Sequence, residues 1–379
     1  MFSWFSLFSL KYNDPSTVTV KDDINIVYNN DLQLSQPWTH IQICGRDAQI
    51  SAEADMQTIQ QFGGCPALSN PPQETAILVL QGFQKYGQSA NNLIELFHAL
   101  HYGRDNNMAV GIMEDNSWAT RLITDMWMAI QDVNNMAEWE QMMEQQLCLK
   151  MFTSVDQVNQ YKEIQWITTR DDTFRMFGWM HDGPSVDTIA FQSHLLRTLW
   201  RSYNNGTGFN IQRQPVWNMC SGIDTVFGLG RGSAIYSVVH SRSFEKSANF
   251  IKKFFKAENM AALEVEPEFV KSVLGPLGML NHPIVFMTDN QRPEILERLQ
   301  ADPEIGPKII AIPSEASWIG GDITLATMAN VFIGNPVSSF SGFIVKSRVA
   351  LGIPNSYMFR AKAENGTFYD SCDEICAFW

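Results

Sequence analysis

Two stretches of the chain alternate short apolar runs with segments of helical periodicity, and this alternation constrains the fold most strongly. In the first stretch, apolar runs at 76–80 and 108–113 flank a segment at 91–102 whose apolar residues recur at helical spacing. A strand, a helix and a second strand within about 40 residues form a βαβ unit, whose crossover requires parallel strands. The first stretch therefore predicts a parallel sheet with helices on its faces.

The second stretch repeats this alternation further along the chain. Its predicted strands cover residues 234–240, 283–287, 308–312 and 331–334. Its predicted helices cover residues 247–256, 293–299, 323–329 and 341–351. The pattern is typical of a doubly wound sheet, in which ligands bind outside the carboxyl ends of the strands.

The length of 379 residues exceeds what one hydrophobic core usually serves, so two α/β domains are expected. The predicted divisions are an irregular N-terminal segment packing on the first domain, two Rossmann-like domains and a tail, at 1–73, 74–225, 232–360 and 361–379. Met and Trp recur at helical spacing in 116–201, which predicts mostly helix and no chemistry there. Residues 203–233 are rich in Gly, Asn and Pro, as expected of an interdomain connection.

The charge and the termini restrict the partners and the location. A net charge of −13 disfavours nucleic acid and anionic membranes. The apolar N-terminus is too short to span a bilayer, and no run of 18 apolar residues occurs, so no membrane span is predicted. Six cysteines and glycosylation triplets at Asn205 and Asn365 favour the secretory pathway, with a targeting segment upstream. A cytosolic protein with reduced thiols is the alternative.

Three segments carry candidate chemistry. Asn335-Pro-Val-Ser-Ser-Phe-Ser-Gly342 leaves a strand and enters a helix expected to begin near Ser341. Its hydroxyl residues either cap that helix or leave its first amides to bind an anion. His240 and Arg242 end a strand and are expected on the same side of it, where the guanidinium can bind a phosphate.

The third segment is the glycine-containing loop at 82–91. Its last residue, Asn91, either caps the following helix or bonds a sugar hydroxyl. No Asp-x-Asp and no cluster with metal-ligand spacing occurs in the sequence, so no metal is expected.

These segments stand in the order found in the fucosyltransferase superfamily. The stretch 330–343 closely resembles the last signature of protein O-fucosyltransferases, and 236–242 resembles their His-x-Arg strand. Phe286-Met-Thr-Asp289 resembles the strand end lying between those two motifs. Gly87-Gln-Ser-Ala-Asn-Asn-Leu93 is similar to the segment that opens their first domain. The likeness is good over 234–352 and weaker over 76–113.

The resemblance implies two Rossmann-like domains facing each other across a cleft, the GT-B arrangement. It implies an inverting glycosyltransferase that needs no metal, uses GDP-fucose and modifies a protein or glycan hydroxyl. The resemblance implies that Arg242 and Asn91 are catalytic, with Asn91 near the sugar. The implied donor-binding residues are His240, Arg242, Asp322, Ser338, Ser339, Phe340 and Ser341.

The sequence also departs from the family pattern. Ser243-Phe-Glu245 replaces the second Arg and the Gly-Asp of many members, and 87–90 lacks the carboxylate that some members use as base. The general base therefore stays open. A transferase using another GDP-sugar such as GDP-mannose, and a weak or inactive lectin-like member of the same fold, are the alternatives.

Overall fold

The computed structural model describes residues 42–43, 46–47, 52–81, 89–113, 144–145, 147–168, 190–197, 235–242, 264–289, 292–312, 319–335, 338–359 and 369–371. The first elements are a small antiparallel pair, β1 (Gln42–Ile43) and β2 (Arg46–Asp47), followed by helix α1 (Ala52–Phe62). The prediction that residues 1–73 are irregular is therefore wrong for α1. Phe62 of α1 is buried in the core of the first sheet, where it contacts Phe191.

The first sheet has four parallel strands in the order β5–β4–β3–β6. Its strands are β3 (Ala76–Leu80), β4 (Ala109–Met113), β5 (Leu149–Phe152) and β6 (Glu163–Ile167). Helix α2 (Ser89–Asp105) joins β3 to β4, and the short helix α3 (Val155–Val158) lies between β5 and β6. The βαβ unit is confirmed, because β3 and β4 are fully apolar, buried runs that need no alternation.

The prediction that residues 116–201 are mostly helical is wrong at β5 and β6. Both are edge strands of four or five residues, and their stability comes from pairing with β4 and β3 rather than from local propensity. Most of β6 is only half-buried, so its sequence, Glu-Ile-Gln-Trp-Ile, shows no apolar run. Residues 190–197 are helical, as expected.

The second sheet has six strands in the order β12–β11–β10–β7–β8–β9. They are β7 (Ser237–Ser241), β8 (Ile284–Thr288), β9 (Ile309–Ala311), β10 (Val331–Gly334), β11 (Ser356–Phe359) and β12 (Tyr369–Ser371). Its helices are α4 (Pro267–Leu274), α5 (Pro293–Ala301), α6 (Ile319–Thr327) and α7 (Ser339–Ala350). All neighbouring strands are parallel except β12, which is antiparallel to β11.

The strands predicted at β7 to β10 and the helices at α5, α6 and α7 are confirmed. The sequence reading missed α4, β11 and β12, and β12 makes part of the predicted tail a strand of the sheet. Short 3-10 turns cover Pro66–Ser69, Pro72–Glu74 and Gly306–Lys308. The predicted helix at 247–256, the connection at 203–233 and most of the loop at 82–91 lie outside the described residues.

Helices α2 and α7 bring the two sheets into contact. The Phe97 and Phe343 rings lie 5.9 Å apart, and Phe343 belongs to the same core cluster as the first sheet. Cys65 and Cys148 form a disulfide whose Cα atoms are 5.1 Å apart. Among the helices of the described residues, none combines the length and the apolarity that crossing a bilayer requires.

Candidate functional site

The candidate site lies where the second sheet changes direction. From β7 the chain continues to β8 and β9 on one side, and it then returns to β10 and β11 on the other side of β7. Strands β7 and β10 are therefore parallel neighbours at a topological switch point, with Ile333 opposite Val239. A crevice opens outside the carboxyl ends of two such strands, because the connections that follow them diverge. His240 lies near the end of β7 and Arg242 directly follows that strand, while Asn335 directly follows β10 and Ser341 lies in the first turn of α7.

A hydrogen bond joins the two strand ends through side chains. His240 Nδ1 lies 2.7 Å from Ser341 Oγ, although 101 residues separate them in the chain. The Asn335 backbone N–H donates to the same Ser341 oxygen at 2.9 Å. Asn335 Nδ2 also donates to the Arg242 carbonyl oxygen at 3.3 Å, so Asn335 ties both segments together.

The His240 imidazole is held neutral. Burial, and to a lesser extent the nearby positive charge of Arg242, together lower the pKa of His240 to about 3. The Phe340 ring lies 4.9 Å from the imidazole, inclined by 50°, and fixes one side of it.

Gly334 allows this close packing between β10 and α7. A Cβ atom built on Gly334 would meet Ser341 Cβ and Met358 Sδ at 2.9 Å and Phe332 Cε1 at 2.8 Å. All three separations are shorter than ordinary van der Waals contact, so any larger residue would push Ser341 away from His240.

The Ser338 hydroxyl at the start of α7 does not form the hydrogen bond expected of a helix cap. The helix begins at Ser339, two residues earlier than predicted, and Ser338 occupies the N-cap position. Ser338 is buried, yet its Oγ neither caps the helix nor forms a hydrogen bond with the described residues. The first amides of an α-helix have no intrahelical acceptor. This buried start of α7 therefore combines a hydroxyl with helix amides, which is suited to an anion.

The structure describes the predicted site residues Asp322, Asn91 and Ser339 only in part. Asp322 is half-buried in the first turn of α6, a helix that packs against α7. Asn91 is the third residue of α2, so it is not the N-cap, and the capping alternative is wrong. The side chains of Asn91 and Ser339 lie outside the described residues. Within those residues, no group of three His, Cys, Asp or Glu is arranged to hold a metal ion, and metal independence stays a prediction.

Gly334 and Asn335 contribute packing and hydrogen bonds to the candidate site, although the sequence predicted only a turn at Asn335 and no site role for either residue. Asn335 is completely buried, and its amide and backbone both bond within the site. The available signal was the Gly-Asn-Pro sequence directly after an apolar strand, which indicates a tight turn but gives no partner.

Comparison with known proteins gives structural likeness alone. No protein-family model matches the chain, and no curated protein sequence matches it significantly. POFUT1 in complex with GDP-fucose is 10% identical with a TM-score of 0.41, covering 77% of this chain and 99% of that one. E. coli ADP-heptose lps heptosyltransferase II is 12% identical with a TM-score of 0.37, covering 77% and 86%.

A family 9 glycosyl transferase from Veillonella parvula DSM 2008 is also similar. It is 12% identical with a TM-score of 0.39, and the match covers 77% of this chain and 83% of that one. At these TM-scores the likeness carries no inference about donor, acceptor or chemistry.

Proposed function

We propose that this protein is an inverting, metal-independent glycosyltransferase that moves fucose from GDP-fucose to a protein or glycan hydroxyl. The observation that carries the proposal is the buried start of α7 at the switch point, joined to His240 by the Ser341 hydrogen bond. The proposal includes the two-domain arrangement, with Rossmann-like domains facing each other across a cleft. The parallel sheets that the chain forms support this arrangement.

The diphosphate would bind at the start of α7. The α7 amides, the Ser338 hydroxyl and the positive end of the helix dipole all favour a negative group there. Arg242, whose positive charge acts on neighbouring His240, would offset the charge that develops on the departing diphosphate. These groups would do without a cation what a metal ion does in other transferases.

The nucleotide and the sugar are assigned from the resemblance of 234–352 to the fucosyltransferase superfamily. By that resemblance, Asp322 contacts the nucleotide, Ser339 and Phe340 line the pocket, and Asn91 lies near the sugar. The general base is not assigned, because residues 87–90 carry no carboxylate. GDP-mannose is the alternative donor for the same pocket.

A secretory-pathway location is part of the proposal. The Cys65–Cys148 disulfide supports it, since disulfides persist mainly in oxidising compartments. Recovery of this pair in the reduced state from cells would favour the cytosolic alternative.

Incubation of the purified protein with GDP-fucose tests the enzymatic part. We expect slow release of free fucose, because an enzyme transfers its sugar to water when no acceptor is present. The rate should be unchanged by EDTA. Activity lost in EDTA and restored by manganese would contradict metal independence. Donor binding without any release would instead favour the second candidate, a lectin-like protein of this fold, which the missing carboxylate at 87–90 also fits.

A further inference from the structure

The Ser341 hydroxyl contacts two groups that differ in whether they can donate or accept a hydrogen bond. The Asn335 backbone N–H can only donate, so it occupies an acceptor position on Ser341 Oγ at 2.9 Å. His240 Nδ1 lies 2.7 Å from the same oxygen and either donates or accepts, depending on its tautomer. The Ser341 hydroxyl carries one proton of its own, and donation of this proton to His240 Nδ1 satisfies both the hydroxyl and the ring nitrogen. The imidazole proton then resides on Nε2.

We propose that Ser341 is a positioning residue that locks His240 in the Nε2–H tautomer, so that a neutral imidazole donates a hydrogen bond to the donor diphosphate. This inference rests on the proposed function for the identity of the ligand alone. In this proposal Ser341 acts through His240 and need not touch the donor itself, whereas the resemblance places Ser341 in the donor pocket.

Further observations support a fixed rather than an adaptable imidazole. Phe340 lies against the ring at 4.9 Å, and both Ser341 and His240 are buried. Ser341 also packs closely on the Gly334 backbone, since a Cβ built on Gly334 would lie 2.9 Å from Ser341 Cβ. The lowered pKa of His240 keeps the ring neutral.

The neutral His240 imidazole and the Arg242 guanidinium contribute different interactions to diphosphate binding. The guanidinium supplies the positive charge, whereas the imidazole supplies a directed hydrogen bond without taking up a proton. Donation from Nε2 is available only while Nδ1 is held as an acceptor. Removal of the Ser341 hydroxyl should therefore release the tautomer without changing the charge of the site.

Nuclear magnetic resonance of the ligand-free protein tests the tautomer directly. In protein with 15N-labelled histidine, His240 is identified among the seven histidines by the loss of its signals in His240→Gln. We expect the Nε2–H pattern in the parent and a mixture of tautomers in Ser341→Ala. The matched control is Ser347→Ala, which removes another fully buried hydroxyl from the same helix and should leave the His240 signals unchanged. An Nδ1–H pattern in the parent, or an unchanged pattern in Ser341→Ala, overturns the proposal.

GDP binding tests the consequence. Ser341→Ala should weaken GDP about tenfold, as expected for a hydrogen bond to a charged group, and Ser347→Ala should not. In the His240→Gln background the amide donates without any tautomer, so Ser341→Ala should then cost less than about threefold. Equal losses in both backgrounds would show that Ser341 acts independently of His240. If the parent binds no GDP, the proposed function fails, while the tautomer measurement still decides the positioning role.

Discussion

Arg242 and His240 differ in what they contribute to the same strand end. His240 is buried and neutral, and its contacts with Ser341 and Phe340 are defined. Arg242 directly follows β7 and is only half-buried, so its charge is available to a ligand at the crevice. A guanidinium in this position is worth most when the glycosidic bond breaks and negative charge develops on the diphosphate.

Replacement of Arg242 tests this role. Arg242→Ala should lower kcat by roughly 10²–10³-fold and raise the donor KM by less, the scale of losing one charge-stabilising donor. Arg242→Lys should recover only part of the rate, because an ammonium keeps the charge but loses the two-pronged geometry. Steady-state kinetics with GDP-fucose provide the measurement. A folded Arg242→Ala variant with parental turnover would show that this arginine is merely a surface residue.

Helix α7 buries two basic side chains, Arg348 and Lys346. Arg348 is completely buried, and its guanidinium donates to carbonyl oxygens of Thr327 and Ala329 at 2.8 and 2.6 Å and to Ser356 Oγ at 2.9 Å. It also donates to the Pro354 carbonyl oxygen. These oxygens lie at the end of α6 and before β11, where carbonyl groups lack helix partners. Arg348 therefore joins α6, α7 and β11.

Arg348→Met should destabilise the protein by about 3 kcal/mol or more, because several buried carbonyl oxygens lose their donor at once. Urea unfolding of the variant is the measurement. A loss below about 1 kcal/mol would mean that these carbonyl groups find other partners.

Replacement of Lys346, two residues before Arg348, should instead raise the stability of the protein. Burial lowers the pKa of Lys346 to about 7 from a usual 10.5. Between those two pH values the unfolded chain holds a proton that the folded chain has lost, so stability should rise with pH, approaching 1.4 kcal/mol per unit. Lys346→Met should be more stable than the parent at pH 7 and lack this rise. A variant that is less stable, with the parental slope from pH 7 to 9, would contradict the lowered pKa.

The sequence alone predicted the buried strands that consist of consecutive, mostly apolar residues. Strands β3, β4, β8 and β10 are almost entirely apolar, β7 is fully buried, and each was recognised. Edge strands such as β6 and β12 were missed, because pairing with a neighbour rather than composition makes them strands.

The site was predictable only in part for the same reason. The resemblance brought His240 and Ser341 into one pocket, but no local pattern indicates that Ser341 bonds His240 rather than capping α7. The Cys65–Cys148 pairing was equally hidden, since six cysteines allow 15 pairings. The structural role of Arg348 could not be predicted from the sequence, because most of its partners are backbone carbonyl groups, which every residue carries.

At the scale of the whole molecule, the two sheets meet through α2 and α7, and α7 also begins at the candidate site. Its first turn holds Ser338 and Ser341, and farther along it Phe343 packs against Phe97 of α2. One helix thus connects the switch point of the second sheet with the core of the first. Ligand at the start of α7 is expected to stabilise the folded chain as a whole.

Thermal unfolding with GDP, in EDTA, tests the central claim most directly. A ligand that binds only the folded protein stabilises it by RT ln(1 + [L]/Kd), about 2.7 kcal/mol at 100 times Kd. The account predicts that the melting temperature rises with GDP concentration and far less with UDP at the same concentrations. A melting temperature unchanged by GDP up to millimolar concentration would contradict a GDP-sugar site at the start of α7.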